Sequence, residues 1–264
     1  MADYLVTGAG GGMGSALCRA LAEAGDRVWG IDRRVPEGGA AGWTFIAADL
    51  TKTAELEAAL EQVREEAGGL DGIVHAAGVY DLNSLVEMPE EDFIRDFNVN
   101  VFGTFRVNRL FVPVLREKGR VVVITSELAP LHPLPFTGIY GVTKAAADRY
   151  ADALRMELQL AGHPVIVIRP GAVKTAMLPA STKKLDEFCE KTEVYRCNAE
   201  RFRRIVGRVE ARNVPPEAIA VLIRKALKTK RPRLVYTKNR NPLLLLLNGL
   251  PKRTQLYIIK KILA

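Results

Sequence analysis

YLVTGAGGGMGSAL, residues 4–17, opens on a short apolar run and breaks into glycine at Gly8 before a helical pattern begins. A strand, a glycine turn and a helix in that order form the first half of a βαβ unit. Glycines let the backbone turn sharply and approach a phosphate closely, and a helix that starts there offers free N–H groups and the positive end of its dipole. Gly8, Gly12 and Gly14 follow a GxxxGxG spacing rather than the commoner GxGxxG. The next apolar run, RVWGID (27–32), ends in Asp32. A carboxylate there can accept hydrogen bonds from both hydroxyls of an adenosine ribose and repels a 2′-phosphate. Arg33 and Arg34, which follow, can pair with that phosphate, but no basic residue lies inside the glycine loop to help; with Asp32 opposing the phosphate, the expectation is NAD, with NADP as the runner-up. Asp49 serves either as an acceptor for an adenine amino group or as a cap for the helix after it.

The βα rhythm continues through the chain. TFIAADL (44–50), GIVHAAG (72–78), GRVVVITS (119–126), VIVIRPG (165–171) and RLVYT (233–237) bring the strand count to seven. Near-continuous apolar runs of this kind suit strands buried on both faces of a mostly parallel sheet. Helical patterns cover Gly14–Ala24, Ala54–Ala67, a long stretch Glu90–Lys118, and Tyr140–Leu160. The expected fold is one doubly wound α/β domain of the Rossmann type over residues 1–264. A polar, irregular helical insertion at 178–209 stands where a substrate cover would sit, and a basic amphipathic tail occupies 241–264.

YGVTK (140–144) is the most informative pentapeptide. On a helix, positions i and i+4 share a face, so the phenol of Tyr140 and the ammonium of Lys144 project into one space. A phenol titrates ordinarily near 10, and the neighbouring ammonium together with the positive charge of an oxidised nicotinamide favours the phenolate, so Tyr140 is expected to be lowered into a useful acid–base range with that ring bound. Ser126 ends the preceding strand, where ligands bind in parallel sheets, and its hydroxyl can steady a developing alkoxide. No cluster of His, Cys or carboxylates has metal-ligand spacing, so no metal is expected.

Together these residues resemble the short-chain dehydrogenase/reductase family in its compact single-domain branch. TGAGGGMG (7–14) is similar to the family's cofactor loop, and ITS (124–126) with YGVTK is similar to its active site. FNVNVFGTF (97–105) resembles the family's Asn-bearing helix; register against Phe93 and Gly103 puts the catalytic asparagine at Asn100, with a role in a water-borne proton relay from Lys144. RPGAVKT (169–175) resembles the PG motif, which implies nicotinamide contacts from Thr175 and Val173 on a turn shaped by Pro170 and Gly171. Met13, Leu50, Ala76 and Gly78 complete the implied cofactor contacts. The family's NNAG reads His75-Ala76-Ala77-Gly78 here, so two asparagine side chains are missing, and His75 is read as a structural histidine. The resemblance also implies a homodimer or homotetramer.

Leu128, Leu131, Leu134, Phe136, Met177 and Leu178 are the candidate substrate contacts, and their apolar character points to a lipophilic alcohol or ketone. The end of the chain resembles hydroxysteroid and retinol dehydrogenases, which implies a hydroxysteroid, bile acid or comparable alcohol as substrate. Competing expectations are an NADPH-dependent 3-oxoacyl or other ketone reductase, and a dinucleotide-sensing scaffold without chemistry.

Charge is distributed unevenly. The whole chain carries +8, but residues 200–264 hold 17 Lys and Arg against 3 Glu. Such asymmetry attracts an anionic partner, yet no nucleic-acid-binding signature accompanies it. The amphipathic stretch 251–264 suits docking on the protein body or a subunit partner, with peripheral contact to an anionic membrane as the alternative. No leader segment is read at the N-terminus and the cysteines are unpaired, so a reducing cytoplasm is expected.

Overall fold

Strands that must bury both faces need helices above and below, and the chain supplies them in alternation. The computed structural model describes residues 1–264. In chain order the elements are β1 (Asp3–Thr7), α1 (Gly12–Ala22), β2 (Arg27–Asp32), β3 (Thr44–Ala47), α2 (Thr53–Ala67) and β4 (Leu70–His75). They continue with α3 (Glu90–Phe97), α4 (Thr104–Phe111), β5 (Leu115–Ile124), α5 (Gly138–Leu158) and β6 (Val165–Pro170). After these come α6 (Met177–Lys191), α7 (Arg196–Glu210), α8 (Pro216–Lys228), β7 (Val235–Lys238), α9 (Pro242–Asn248) and α10 (Lys252–Leu263).

The seven strands form one sheet in the order β3-β2-β1-β4-β5-β6-β7. Every pairing is parallel. The order reverses between β1 and β4, so the loops leaving these two strands diverge and open a crevice at their carboxyl ends. One sheet face is covered by α1 and α8 around Leu17, Leu21, Ile219 and Ile223. The other buries Leu56, Leu60, Val107, Phe111 and Ala151 from α2, α4 and α5. A third apolar cluster lies away from the sheet, where α6 and α7 close on Leu82, Phe136 and Leu263.

Two sequence expectations change. The stretch 90–118 is not one helix running into a longer one: a π-helical turn at Asn98–Gly103 separates α3 from α4, and β5 already starts at Leu115. The charged residues Arg116, Glu117 and Lys118 read as helix in isolation. Arg116 is drawn into the strand by hydrogen bonds to Asp3, Asp71 and the Ala67 carbonyl, each at 2.7–2.8 Å. The first helix also begins earlier than its pattern suggests, at Gly12, so the glycine loop includes its first turn. No helix is long and apolar enough to cross a membrane.

Candidate active site

The glycine loop is closed against the rest of the sheet. Gly8 takes φ +71°, and a Cβ there would lie 2.5 Å from the backbone of Ala77, so a side chain is excluded. Asp32 fastens the loop from the neighbouring strand: its Oδ2 accepts from the Gly10 N–H at 3.0 Å and its Oδ1 from the Arg33 N–H at 2.7 Å. A cleft runs from this corner along the crevice. Asp32, Arg33, Asp49 and Leu50 line one end; Gly8, Gly12, Met13 and Gly14 line the middle; Ala76, Gly78 and Thr175 line the other end. Burial raises the Asp49 carboxyl, but the Thr51 N–H, donating at 2.8 Å, and Arg33 hold it below the usual carboxylate range. Asp49 therefore both caps the turn before α2 and borders the cleft.

A second cavity adjoins the first and shares Met13, Ala76, Gly78, Thr175 and Met177 with it. Its volume of about 180 Å³ is roughly ten times what one water requires. Ser126, Tyr140 and Lys144 stand on its wall. Ser126 leaves the end of β5, and Tyr140 and Lys144 occupy one face of α5, so three side chains from two elements converge. The helix is braced to the sheet by Asp148, which accepts from Thr125 Oγ1 at 3.0 Å and from Arg169 Nη2 at 2.6 Å. Lys144 Nζ donates to the Ile124 carbonyl at 3.2 Å and lies 5.8 Å from the Tyr140 ring centroid.

Asn100 sits in the π-helical turn, where the widened backbone carries it towards this group. Its Oδ1 accepts from the Val79 N–H at 2.8 Å, and its Nδ2 donates to Thr143 Oγ1 at 3.0 Å. A Cβ placed on Gly78 would meet Asn100 Oδ1 at 3.1 Å and Lys144 Nζ at 3.2 Å. Gly78 therefore keeps the space between them open. The near neighbour Asn98 faces away and accepts from Arg106 Nη2 at 3.3 Å.

Burial dominates the electrostatics of this group. Burial pushes the Tyr140 phenol up to about 12, with the Ser126 hydroxyl opposing and Glu127 adding to the rise. Burial also pushes the Lys144 ammonium down to about 8. Burial is the largest influence on both groups and leaves the phenol above its ordinary value in the protein alone. His75, at the base of the cleft, is pushed down to about 4 by burial and is bonded to Asn108 Oδ1 at 2.8 Å, a structural and neutral histidine.

The substrate contacts divide. Leu128, Leu134, Met177 and Leu178 line the second cavity. Leu131 does not; it turns to the tail, facing Leu247 and Ile259 across a small gap. Phe136 is likewise withdrawn, held at φ +60° and buried among the rings of Phe188, Tyr195 and Phe202. Both sit in a proline-rich loop whose course depends on what packs over it, and the tail and the α6–α7 pair claim those side chains. Pro170, Gly171 and Val173 border the second cavity rather than the first, beyond the junction at Thr175.

Two wall residues escape sequence reasoning. The Tyr80 ring packs edge-on against Tyr140, with centroids 4.4 Å apart. Glu210 arrives from the end of α7, the one acidic residue between 201 and 216. That isolation in a basic helix was its only visible signal.

Comparison with known proteins agrees with this geometry. The family model for short chain dehydrogenase matches residues 3–186. A 3-ketodihydrosphingosine reductase of Bacteroides thetaiotaomicron is 26% identical over 230 residues, covering 86% of this chain and 84% of the relative. Estradiol 17-beta-dehydrogenase 2 of Mus musculus is 33% identical over 183 residues, 65% of this chain and 48% of that protein. Among solved structures, a short-chain dehydrogenase from Streptomyces avermitilis superposes with a TM-score of 0.77 at 25% identity, covering 99% of this chain and 96% of that one.

Proposed function

The chain belongs to the short-chain dehydrogenase family, and from that premise we propose that it interconverts a secondary alcohol and a ketone on a lipophilic substrate, with NAD as the preferred dinucleotide. The observation that carries this reading is the junction of the two cavities beside Ser126, Tyr140 and Lys144. The first cavity suits a nicotinamide dinucleotide: the glycine loop at a helix N-terminus would hold its pyrophosphate, and Asp32 would hold its adenosine ribose. When bound, the dinucleotide supplies the hydride acceptor or donor, and in its oxidised form a positive ring.

The protein's own groups handle the proton and the oxygen. Tyr140 takes the alcohol proton during oxidation and returns it to the alkoxide during reduction. Ser126 donates a hydrogen bond to the substrate oxygen. Lys144, held by the Ile124 carbonyl, places a cation beside the phenol, and Asn100, bonded to Val79 and Thr143, would hold a water that relays protons between Lys144 and solvent. Because the phenolate is the base in oxidation and the phenol the acid in reduction, oxidation is expected to speed up as pH rises and reduction to slow. Met177, Leu178, Leu134 and Leu128 give the substrate an apolar bed.

Within lipophilic substrates, a hydroxysteroid or bile acid is the first choice, supported by the likeness to the estradiol dehydrogenase. A long-chain keto substrate is the second, supported by the fuller coverage of the sphingosine-type reductase. The test is a substrate panel followed at the reduced-nicotinamide absorbance with both dinucleotides. Tyr140→Phe should lower kcat by about 10²–10⁴-fold while dinucleotide affinity persists. Undiminished turnover by that variant would overturn the mechanism, and faster turnover with NADP would overturn the cofactor choice.

A further inference from the structure

None of the chemistry above uses the basic residues that crowd the last quarter of the chain. Residues 200–264 hold 17 Lys and Arg against 3 Glu. Part of this charge is gathered around a third cavity of about 340 Å³, which adjoins the substrate cavity along Glu127, Ala172, Ile205 and Val209. Arg208, Arg212 and Arg240 supply its cationic lining. The three come from separate places: the last turn of α7, the segment after it, and the exit from β7.

The backbone that presents them is pinned. Asn239 takes a left-handed φ of +57°, and its Nδ2 donates to the Ala172 carbonyl at 2.9 Å and the Arg212 carbonyl at 2.7 Å. On the other side of Arg240, the Asn241 N–H donates to Glu127 Oε2 at 2.7 Å, and Asn241 Oδ1 caps α9. Arg240 is thus held between two anchored residues, and its Nε is shielded from water without an acceptor. Glu127 is the only carboxylate in the lining. Three guanidiniums against one carboxylate leave the cavity with an excess of two positive charges. Leu243, 66% exposed, forms an apolar lip at the same mouth.

We propose that Arg208, Arg212 and Arg240 form a subsite for an oxyanion, a carboxylate or phosphate carried at the far end of the lipophilic substrate. The planar fork of a guanidinium matches either group with paired hydrogen bonds. The proposal deepens the reading above and rests on it for the identity of the adjoining cavity. The enzyme is then specific for amphipathic anions: the apolar body lies against Met177 and Leu178, and the charge lies behind Glu127.

The experiment measures binding of three probes to the full-length protein with NAD: a fluorescent polyene fatty acid, the matching alkyl phosphate and the neutral methyl ester. The acid and the phosphate should each bind about tenfold or more tightly than the ester, since one charge-assisted contact is of that order. In the combined variant Arg208→Gln, Arg212→Gln, Arg240→Gln this preference should fall towards one, with NAD affinity as the check on folding. Should that variant fail to fold, the exposed pair Arg208→Gln and Arg212→Gln should show most of the same loss. Equal affinity for acid and ester, no binding of either anion, or a preference that survives the substitutions would overturn the subsite. Those outcomes leave Tyr140-dependent turnover untouched, and undiminished turnover by Tyr140→Phe leaves the anion preference untouched, so the two readings fail separately.

Discussion

Glu210 carries a carboxyl into an apolar wall. Burial pushes it up to about 7, against the opposing hydrogen bonds from Thr182 and Tyr80. Its Oε1 is shielded from water and lacks a geometrically formed hydrogen bond, so ionisation leaves a poorly compensated charge. The sign of the consequence follows from proton linkage. A folded-state value above the unfolded 4.5 means that the native protein holds the proton more tightly, so stability is greatest below about 4.5 and falls as pH rises to about 7. Glu210→Gln should therefore stabilise the protein at pH 8 by about 1–2 kcal/mol, discounting for partial exposure, and change little at pH 4. Thermal melts of both proteins across that range check it; a constant difference at all pH values would contradict the assignment. At this same scale the sequence was informative where chemistry depends on spacing within one helix, as in Tyr140 and Lys144. It was silent on Glu210, whose neighbours Tyr80 and Thr182 lie far away in the chain.

The α6–α7 pair and the tail behave as one unit laid over the substrate cavity. α10 seats Leu263, 8% exposed, in the cluster that holds Phe136, Phe188 and Phe202. Gln255 is buried beneath the same helix and is fully engaged: Nε2 donates to the Asn248 and Leu250 carbonyls, and Oε1 pairs with His132 Nδ1 at 2.9 Å. The tail is therefore docked on the body of the protein, the first of the two arrangements its amphipathic pattern allows, while Leu256, Tyr257 and Ile262 stay exposed. Leu263→Ala should cost about 2–3 kcal/mol, read as a shift in the urea midpoint. A loss below about 0.5 kcal/mol would mean that the tail contributes little to the native state. The long segment 90–118 shows the opposite limit of pattern reading. Its apolar spacing remains helical across the π turn, because a single widened turn barely disturbs periodicity. Asn100 lies within that turn and bonds Val79 and Thr143, whereas Asn98 at its start bonds Arg106.

Across the whole molecule, the exposed apolar surface is not evenly spread. Phe93 and Ile94 of α3, Phe102 of the π turn and Phe105 of α4 are each between 38 and 49% exposed, and the Phe97 ring links Phe93 to Phe102. An apolar stripe of this kind is unfavourable in water and suits a second copy of the chain. Sedimentation velocity should therefore show a dimer or larger assembly, and the pair Phe102→Asp, Phe105→Asp should shift it towards smaller species. Monomeric wild-type protein at micromolar concentration would remove the stripe's claim to an interface.

What the sequence alone determined was the alternation of strands and helices, the glycine loop with Asp32 behind it, and the pairing of Tyr140 with Lys144. Each of these is encoded within a few turns of chain, where period and spacing dictate which side chains share a face. Tertiary structure decided the rest. It withdrew Leu131 and Phe136 from the substrate cavity, pushed the Tyr140 phenol upward by burying it, and drew Arg240 to the same space as Arg208 and Arg212. Burial and long-range convergence depend on which surfaces meet after folding, and no local pattern carries that information.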